Sequence, residues 1–201
     1  MMPKKEYINI IHKLAEKNFF PGTSGNISVR INKRQIKITQ THIFKDTLTV
    51  NDFATVSINN KKIDVNSKMR PSSETRMHIE IYRSRPDISA IIHAHPIYTT
   101  YFAVSNILPD VSILPETEKQ IGKLSMVNYY PSGSEKLAIA AGKASIGSNA
   151  LILRNHGAVT MGSTFEDTAI IMEMLEYLCN ISYIKLLTDT LASLKNNNSE
   201  D

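Results

Sequence analysis

Residues 70–104 read RPSSETRMHIEIYRSRPDISAIIHAHPIYTTYFAV, and the order of signals in this stretch decides the fold. A polar corner, Pro71-Ser72-Ser73-Glu74, leads into an amphipathic helix that Ser84-Arg85-Pro86-Asp87 interrupts. A short apolar strand over residues 90–92 then ends in His93-Ala94-His95, and Pro96 opens a second helix through Val104, proline being tolerated at a first helical position. Strand side chains alternate faces, so His93 and His95 point the same way and two imidazoles come close enough to share one cation. Ser72 or Ser73 can cap the first helix, and a helix N-terminus beside hydroxyls also suits a phosphate. The macrodipole favours Glu74 at this place whatever its function. His78, one turn further on the same face, is read as a local hydrogen-bonding residue, because the HxH pair offers the better metal geometry.

Working outward towards the C-terminus, a second apolar run over residues 150–153 precedes Arg154-Asn155-His156-Gly157, which places a third histidine just after a strand. Three histidines with a glutamate nearby suit a catalytic divalent metal that keeps a position open for substrate, and α/β sheets gather their chemistry at strand ends. Between the two runs, residues 105–121 are irregular, with Pro109, Pro115, Glu116 and Glu118, and are assigned as a mobile or interface segment. A strand over 125–129 turns at Pro131-Ser132-Gly133 into a helix over 134–146, with Ser134 as its cap. A long helix over 165–187 follows, and the tail over 195–201, with Asn196-Asn197-Asn198, is expected to be disordered.

Towards the N-terminus, Tyr7, Ile8, Ile11, Leu14, Ala15 and Phe19 recur at three- and four-residue spacing and predict a helix over 4–19. His12 falls off that stripe and is expected in solvent. The run Phe20-Pro21-Gly22-Thr23-Ser24-Gly25-Asn26 is a turn of the kind that can present backbone N–H groups to an anion. Strands over 27–31 and 35–39 flank the hairpin Asn32-Lys33-Arg34, and a second polar corner, Gln40-Thr41-His42, precedes a strand over 50–58. With neither repeat nor linker, the chain reads as a single α/β domain over 1–194, a mainly antiparallel central sheet flanked by helices.

The chain has 201 residues, enough for one domain with a substantial core. Lys and Arg exceed Asp and Glu by 23 to 19 and the pI is about 9.1, but no long basic run interleaved with aromatics marks a nucleic-acid binder. The same balance suits a small anionic substrate. The single cysteine, Cys179, sits in the last helical pattern as a small apolar residue, which excludes an internal disulfide and makes a reducing compartment the default. No signal-peptide pattern and no apolar run of membrane length are read, so a cytoplasmic location is expected.

Four motifs in this order, Gly22-Thr23-Ser24-Gly25-Asn26, Ser72-Ser73-Glu74, His93-Ala94-His95 and Asn155-His156-Gly157, resemble the class II aldolase/adducin family. The resemblance is to its sugar-phosphate aldolases of the L-fuculose-1-phosphate type, and it extends over nearly the whole chain. It implies the family's three-layer sandwich. It also implies a zinc ion, or another divalent metal, on His93, His95 and His156, with Glu74 beside it as catalytic acid/base. The family's phosphate pocket maps onto Asn26, Thr41, Ser72 and Ser73, and its tyrosine acid from a neighbouring subunit maps onto Tyr129, with Tyr130 adjacent. A homotetramer with active sites between subunits is implied as well. One departure is His42, where the family usually has glycine; its bulk bears on the phosphate pocket.

The implied activity is cleavage of a ketose 1-phosphate to dihydroxyacetone phosphate and an aldehyde. A metal polarises the carbonyl and stabilises the enediolate, while Glu74 and Tyr129 move protons. Two other lyase or isomerase readings use the same scaffold: dehydration of methylthioribulose 1-phosphate and 4-epimerisation of ribulose 5-phosphate. In those groups threonine and serine often surround the second histidine, whereas Ala94 and Pro96 do so here. A non-catalytic, adducin-like interaction domain is the reading of another class, and intact ligand residues argue against it.

Overall fold

The computed structural model describes residues 4–59 and 69–197. In chain order its elements are α1 (Lys5–Glu16), β1 (Asn26–Asn32), β2 (Gln35–Thr39), β3 (Phe53–Ser57), α2 (Thr75–Ser84), β4 (Ala90–Ala94) and α3 (Ile97–Ser105). There follow a 3-10 turn (Val111–Ile113), α4 (Pro115–Ile121), β5 (Leu124–Val127), α5 (Glu135–Ala144), β6 (Ala150–Leu153), β7 (Gly157–Gly162) and α6 (Phe165–Asn197). The seven strands form one mixed sheet in the order β3-β2-β1-β4-β7-β6-β5. Only β5 and β6 run parallel; every other neighbouring pair is antiparallel. The expected α/β class, with a mainly antiparallel sheet between helices, is what is found.

Period-two alternation splits the core into two halves. Ile92 and Ala94 of β4 pack with Ile11 and Leu14 of α1, Phe102 of α3 and Met172 of α6. Ile91 turns to the other face, against Met77 and Ile81 of α2 and Leu137 and Ala141 of α5. His93 shares the parity of Ile91 and therefore faces the side on which α2 begins. Strand β4 lies mid-sheet, with β1 on one side and β7 on the other, so residues at its end are approached from both flanks.

Several elements depart from the sequence reading. Strand β7 is not anticipated because Gly157–Gly162 is buried throughout and carries no polar-apolar alternation. The segment 105–121 is ordered by local caps: Asp110 accepts from the Ser112 N–H at 2.9 Å, and Pro115 starts α4 with Glu116 and Glu118 in its first turn. Helix α1 stops at Glu16 because Asn18 turns left-handed at φ 60°, which lets the Phe19 N–H reach the Leu14 carbonyl. His12 is half-buried rather than in solvent, its Nε2 2.9 Å from the Leu48 carbonyl oxygen. Strand β3 is shorter than residues 50–58, and β5 ends before Tyr129. Helix α6 carries on to Asn197, into the expected tail, of which 198–201 lie outside the described residues. Among the described residues no helix is long and apolar enough to cross a membrane.

Candidate metal centre

The end of β4 is where three loops meet. Asn26 pairs with His93 across β1, and His93 pairs with Val159 across β7. The β6–β7 hairpin turns at Arg154-Asn155-His156, where Asn155 takes φ 53° and the His156 N–H donates to the Leu153 carbonyl at 3.1 Å. Asparagine tolerates this left-handed backbone. A Cβ on Gly157 would overlap the His95 ring and stand 2.6 Å from the Ala94 carbonyl oxygen. The Asn-His-Gly motif thus combines a turn former, a projecting imidazole and the vacancy that His95 fills. Gly25 does the same from the opposite flank: at φ 71°, a Cβ there would lie 2.6 Å from the His93 carbonyl oxygen and from the Phe20 ring.

One nitrogen from each of His93, His95 and His156 lies within 4.8 Å of the other two. Ring centroids stand 4.7 Å apart for His93–His95 and His93–His156, and 5.2 Å for His95–His156. The Nδ1 of His93 is 2.8 Å from the Ala158 carbonyl oxygen. A carbonyl only accepts, so Nδ1 carries the proton and neutral His93 presents a bare Nε2 lone pair to the cluster. Glu74 reaches in from the start of α2, with Oε2 2.9 Å from His93 Nε2 and Oε1 3.4 Å from His156 Nε2. Apart from that carboxylate contact, Nε2 of both His93 and His95 is buried without a hydrogen bond. Buried nitrogens left unpaired are costly, and three converging imidazole lone pairs beside a carboxylate fit a borderline divalent cation.

Electrostatics points the same way for two of the three rings. Burial lowers His95 to about 3 and His156 to about 4, with the neighbouring His93 lowering both further. These two rings are therefore neutral donors at neutral pH. Burial also opposes charge on His93, but the adjacent Glu74 carboxylate outweighs it and raises that imidazole above its ordinary value. For Glu74 burial alone would raise the carboxyl; His93, His156 and the Asn26 amide together hold it well below the usual carboxylate range.

Glu74 is oriented by two residues, Asn26 at the start of β1 and Ser132 in the turn before α5. The Asn26 Nδ2 donates to Oε2 at 2.9 Å, and the Ser132 hydroxyl donates to Oε1 at 2.9 Å. Because a carboxylate only accepts, Asn26 must turn its amide nitrogen to Glu74 and its Oδ1 to His78 Nε2, 2.6 Å away. Nδ1 of His78 then accepts from the Ser28 hydroxyl at 2.7 Å. His78 lies outside the three-histidine group and is fully hydrogen-bonded. In the sequence Ser132 reads only as a turn residue, since nothing local marks a serine whose partner lies 58 positions away.

The other candidate residues gather on the adjoining rim. The Thr41 N–H donates to the Arg70 carbonyl and the Ser72 N–H to the Thr39 carbonyl, both at 3.1 Å, which ties the two polar corners together. The Ser72 Oγ accepts from the Glu74 N–H at 3.2 Å, keeping its own proton to donate. Ser73 is exposed above it, and the 131–134 turn packs so closely that a Cβ on Gly133 would stand 3.0 Å from the Ser73 carbonyl oxygen. His42 holds φ 58°, a backbone that favours the glycine expected at this corner, with its imidazole exposed. Tyr129 is 57% exposed and has no hydrogen bond or ring contact to the three histidines, so this protomer does not bring it to them.

A mixed sheet with helices on both faces and a three-histidine, one-glutamate cluster at the end of its central strand defines an α/β protein with a site able to hold a metal ion. Residues 5–183 match the model of the Class II Aldolase and Adducin N-terminal domain, and the chain belongs to that family. The L-fuculose phosphate aldolase of Methanococcus vannielii is 35% identical over 188 residues, 94% of this chain and 99% of that relative. The 3-oxo-tetronate 4-phosphate decarboxylase of Haemophilus influenzae is 28% identical, over 93% of this chain and 92% of its own length. A solved L-fuculose 1-phosphate aldolase superposes with a TM-score of 0.82 at 31% identity, covering 93% of this chain and 89% of that one.

Proposed function

We propose that this protein is a class II aldolase that cleaves a ketose 1-phosphate, of the L-fuculose 1-phosphate type, to dihydroxyacetone phosphate and an aldehyde. The observation that carries the reading is the group of three imidazoles whose nitrogens lie within 4.8 Å of one another, with the Glu74 carboxylate against two of them. His93, His95 and His156 would hold a zinc ion. Such a cation supplies Lewis-acid polarisation of the substrate carbonyl and charge stabilisation for the enediolate that C–C cleavage leaves. Glu74, steered by Asn26 and Ser132, gives and takes the proton at the carbon where the bond breaks. Ser72 and Ser73 donate hydroxyl protons to the phosphate, Thr41 adds its own, and Asn26 offers the second hydrogen of an amide already donating one to Glu74.

Tyr129 serves the neighbouring subunit, taking the proton from the hydroxyl that becomes the aldehyde in cleavage and returning it in condensation; its exposure supports this, as a residue working in trans must project. Exposed Ile97 (72%) and Val104 on α3 and Ile184 and Leu187 on α6 support self-association, and a homotetramer with shared sites is proposed. The helix layers on either face of the sheet support the family's three-layer sandwich, proposed for a domain of residues 1–194. A cytoplasmic setting goes with the reduced, buried Cys179.

The Haemophilus relative supports a second reading. A 3-oxo-tetronate 4-phosphate that loses CO₂ leaves the same dihydroxyacetone phosphate enediolate, so both chemistries need the same pocket and differ only in the fragment that departs. Metal content and product analysis of the purified protein decide between them. About one zinc per chain, with aldehyde and dihydroxyacetone phosphate in equal amounts, is expected; CO₂ in place of aldehyde makes it the decarboxylase. Glu74→Gln is expected to retain the metal and to lose about 10²–10⁴-fold in turnover, the range of general acid-base catalysis; full activity in that variant rules the assignment out.

A further inference from the structure

Lys45 is a buried ammonium that the chemistry above leaves unused. It lies four residues after Thr41, is 2% exposed, and its Nζ donates to the carbonyl oxygens of Thr23 at 3.0 Å, Ser24 at 2.9 Å and Ile43 at 2.9 Å. The Phe20 ring centroid stands 5.8 Å away. Three donors meet three acceptors, which uses the whole hydrogen-bonding capacity of an ammonium. Among the described residues no carboxylate pairs with it. Carbonyl dipoles solvate a cation without neutralising it, and a buried charge lacking a counter-ion is expensive. Burial accordingly lowers this amine to about 8.

The cation sits between two particular loops. One is the Gly22-Thr23-Ser24-Gly25 turn that delivers Asn26; the other is the corner that carries Thr41 and His42. The side chains proposed to hold the substrate phosphate, Asn26, Thr41, Ser72 and Ser73, are all neutral, whereas a phosphate monoester carries about −1.5 to −2 charge at neutral pH. A missing counter-ion on the protein side and a missing cation on the ligand side match each other.

We infer that Lys45 is a positioning residue for phosphate: its buried ammonium clamps the 22–25 turn to the 41–45 corner and supplies the compensating positive charge behind the phosphate pocket. The inference rests on the phosphate-pocket reading given under the proposed function. Lys45 does not touch the phosphate; it acts through the carbonyls it holds, fixing the peptide groups of both loops and contributing its charge at short range.

The test compares metal-loaded wild type with Lys45→Gln, which keeps an amide donor without the charge, and with Lys45→Met. Binding of inorganic phosphate is measured by calorimetry, alongside metal content and steady-state kinetics on a ketose 1-phosphate and its unphosphorylated ketose. The expected result for both variants is at least about a ten-fold loss of phosphate affinity. KM for the phosphorylated substrate rises by a similar factor, while zinc content, kcat and the KM of the unphosphorylated ketose stay within three-fold of wild type, roughly the context-dependent spread of single-site effects. Phosphate affinity within two-fold of wild type in Lys45→Gln, about the resolution of such comparisons, overturns the role of Lys45 and leaves the pocket standing. Wild type that fails to bind inorganic phosphate refutes the pocket, and the inference falls with it. If neither variant melts cooperatively, the Lys45 Nζ resonance of wild type is followed during a phosphate titration: a shift that saturates with the binding curve supports the inference, and an unmoved resonance overturns it.

Discussion

His78 and the His93–His95 pair are neighbouring imidazoles that the fold treats in opposite ways. Both ring nitrogens of His78 are engaged, with Asn26 at 2.6 Å and Ser28 at 2.7 Å. His93 is as deeply buried as His78 and His95 is half-buried, yet the Nε2 of each is shut off from water and, apart from the Glu74 carboxylate beside His93, has no partner. Folding normally satisfies what it buries, so burial alone does not separate a structural histidine from a chemical one. The unsatisfied nitrogen does. The two sets are also coupled, because Glu74 sets the orientation of Asn26, and Asn26 sets the tautomer of His78.

The largest effect expected from breaking this contrast is at the ligands. His95→Ala should lower zinc affinity by more than the roughly 10–100-fold typical of a residue that merely supports a ligand, and abolish turnover while the chain still folds. Zinc stoichiometry by elemental analysis and a melting curve check it; undiminished zinc binding would put His95 in the structural set. Next comes His78→Phe, which leaves Asn26 Oδ1 buried without a partner while the Ser28 hydroxyl turns to the Tyr82 phenol oxygen 3.1 Å away; it should cost about 1–3 kcal/mol of stability, with zinc retained. Urea unfolding measures the loss, and a variant that instead sheds its metal at unchanged stability would invert the comparison.

Acid sharpens the same contrast more gently. Complete burial, aided by the nearby His93, lowers His78 to about 3, whereas an unfolded imidazole titrates at about 6.5. The unfolded chain therefore binds a proton that the folded one refuses. The stabilising contribution of neutral His78 is complete above pH 6.5 and falls on acidification by up to about 1.4 kcal/mol per pH unit until about pH 3. The stability gap between wild type and His78→Phe should narrow at that rate between pH 6 and 4; a pH-independent gap would show that His78 titrates normally. The smallest effect is at the rim, where His42→Gly relieves a left-handed backbone and should change stability by no more than about 1 kcal/mol in the favourable direction. A larger loss in the same unfolding assay would mean that the exposed imidazole makes contacts of its own.

Legibility in the sequence followed periodicity and punctuation. His93, His95 and His156 stood out because each follows a short apolar run, and Glu74 because it sits at a helix start beside serines. Strand β7 did not, since a strand buried on both faces loses the alternation that announces it. Lys45 and Ser132 were silent for a different reason. Lysine and serine belong by default to the surface, and only the packing of loops distant in sequence turns one into a buried clamp and the other into a hydrogen-bond donor to Glu74.

By itself the sequence determined the α/β class, the family motifs and the residue types able to bind a cation, because local spacing fixes which side chains share a face. Tertiary structure alone decided that β1, β4 and β7 lie side by side. That adjacency brings Asn26, His93 and His156 to one point, leaves two imidazole nitrogens unpaired, and buries an ammonium between two loops. These are long-range consequences of sheet order, and no local pattern encodes the order in which strands so far apart in sequence will pair, as β1 pairs with β4 and β4 with β7.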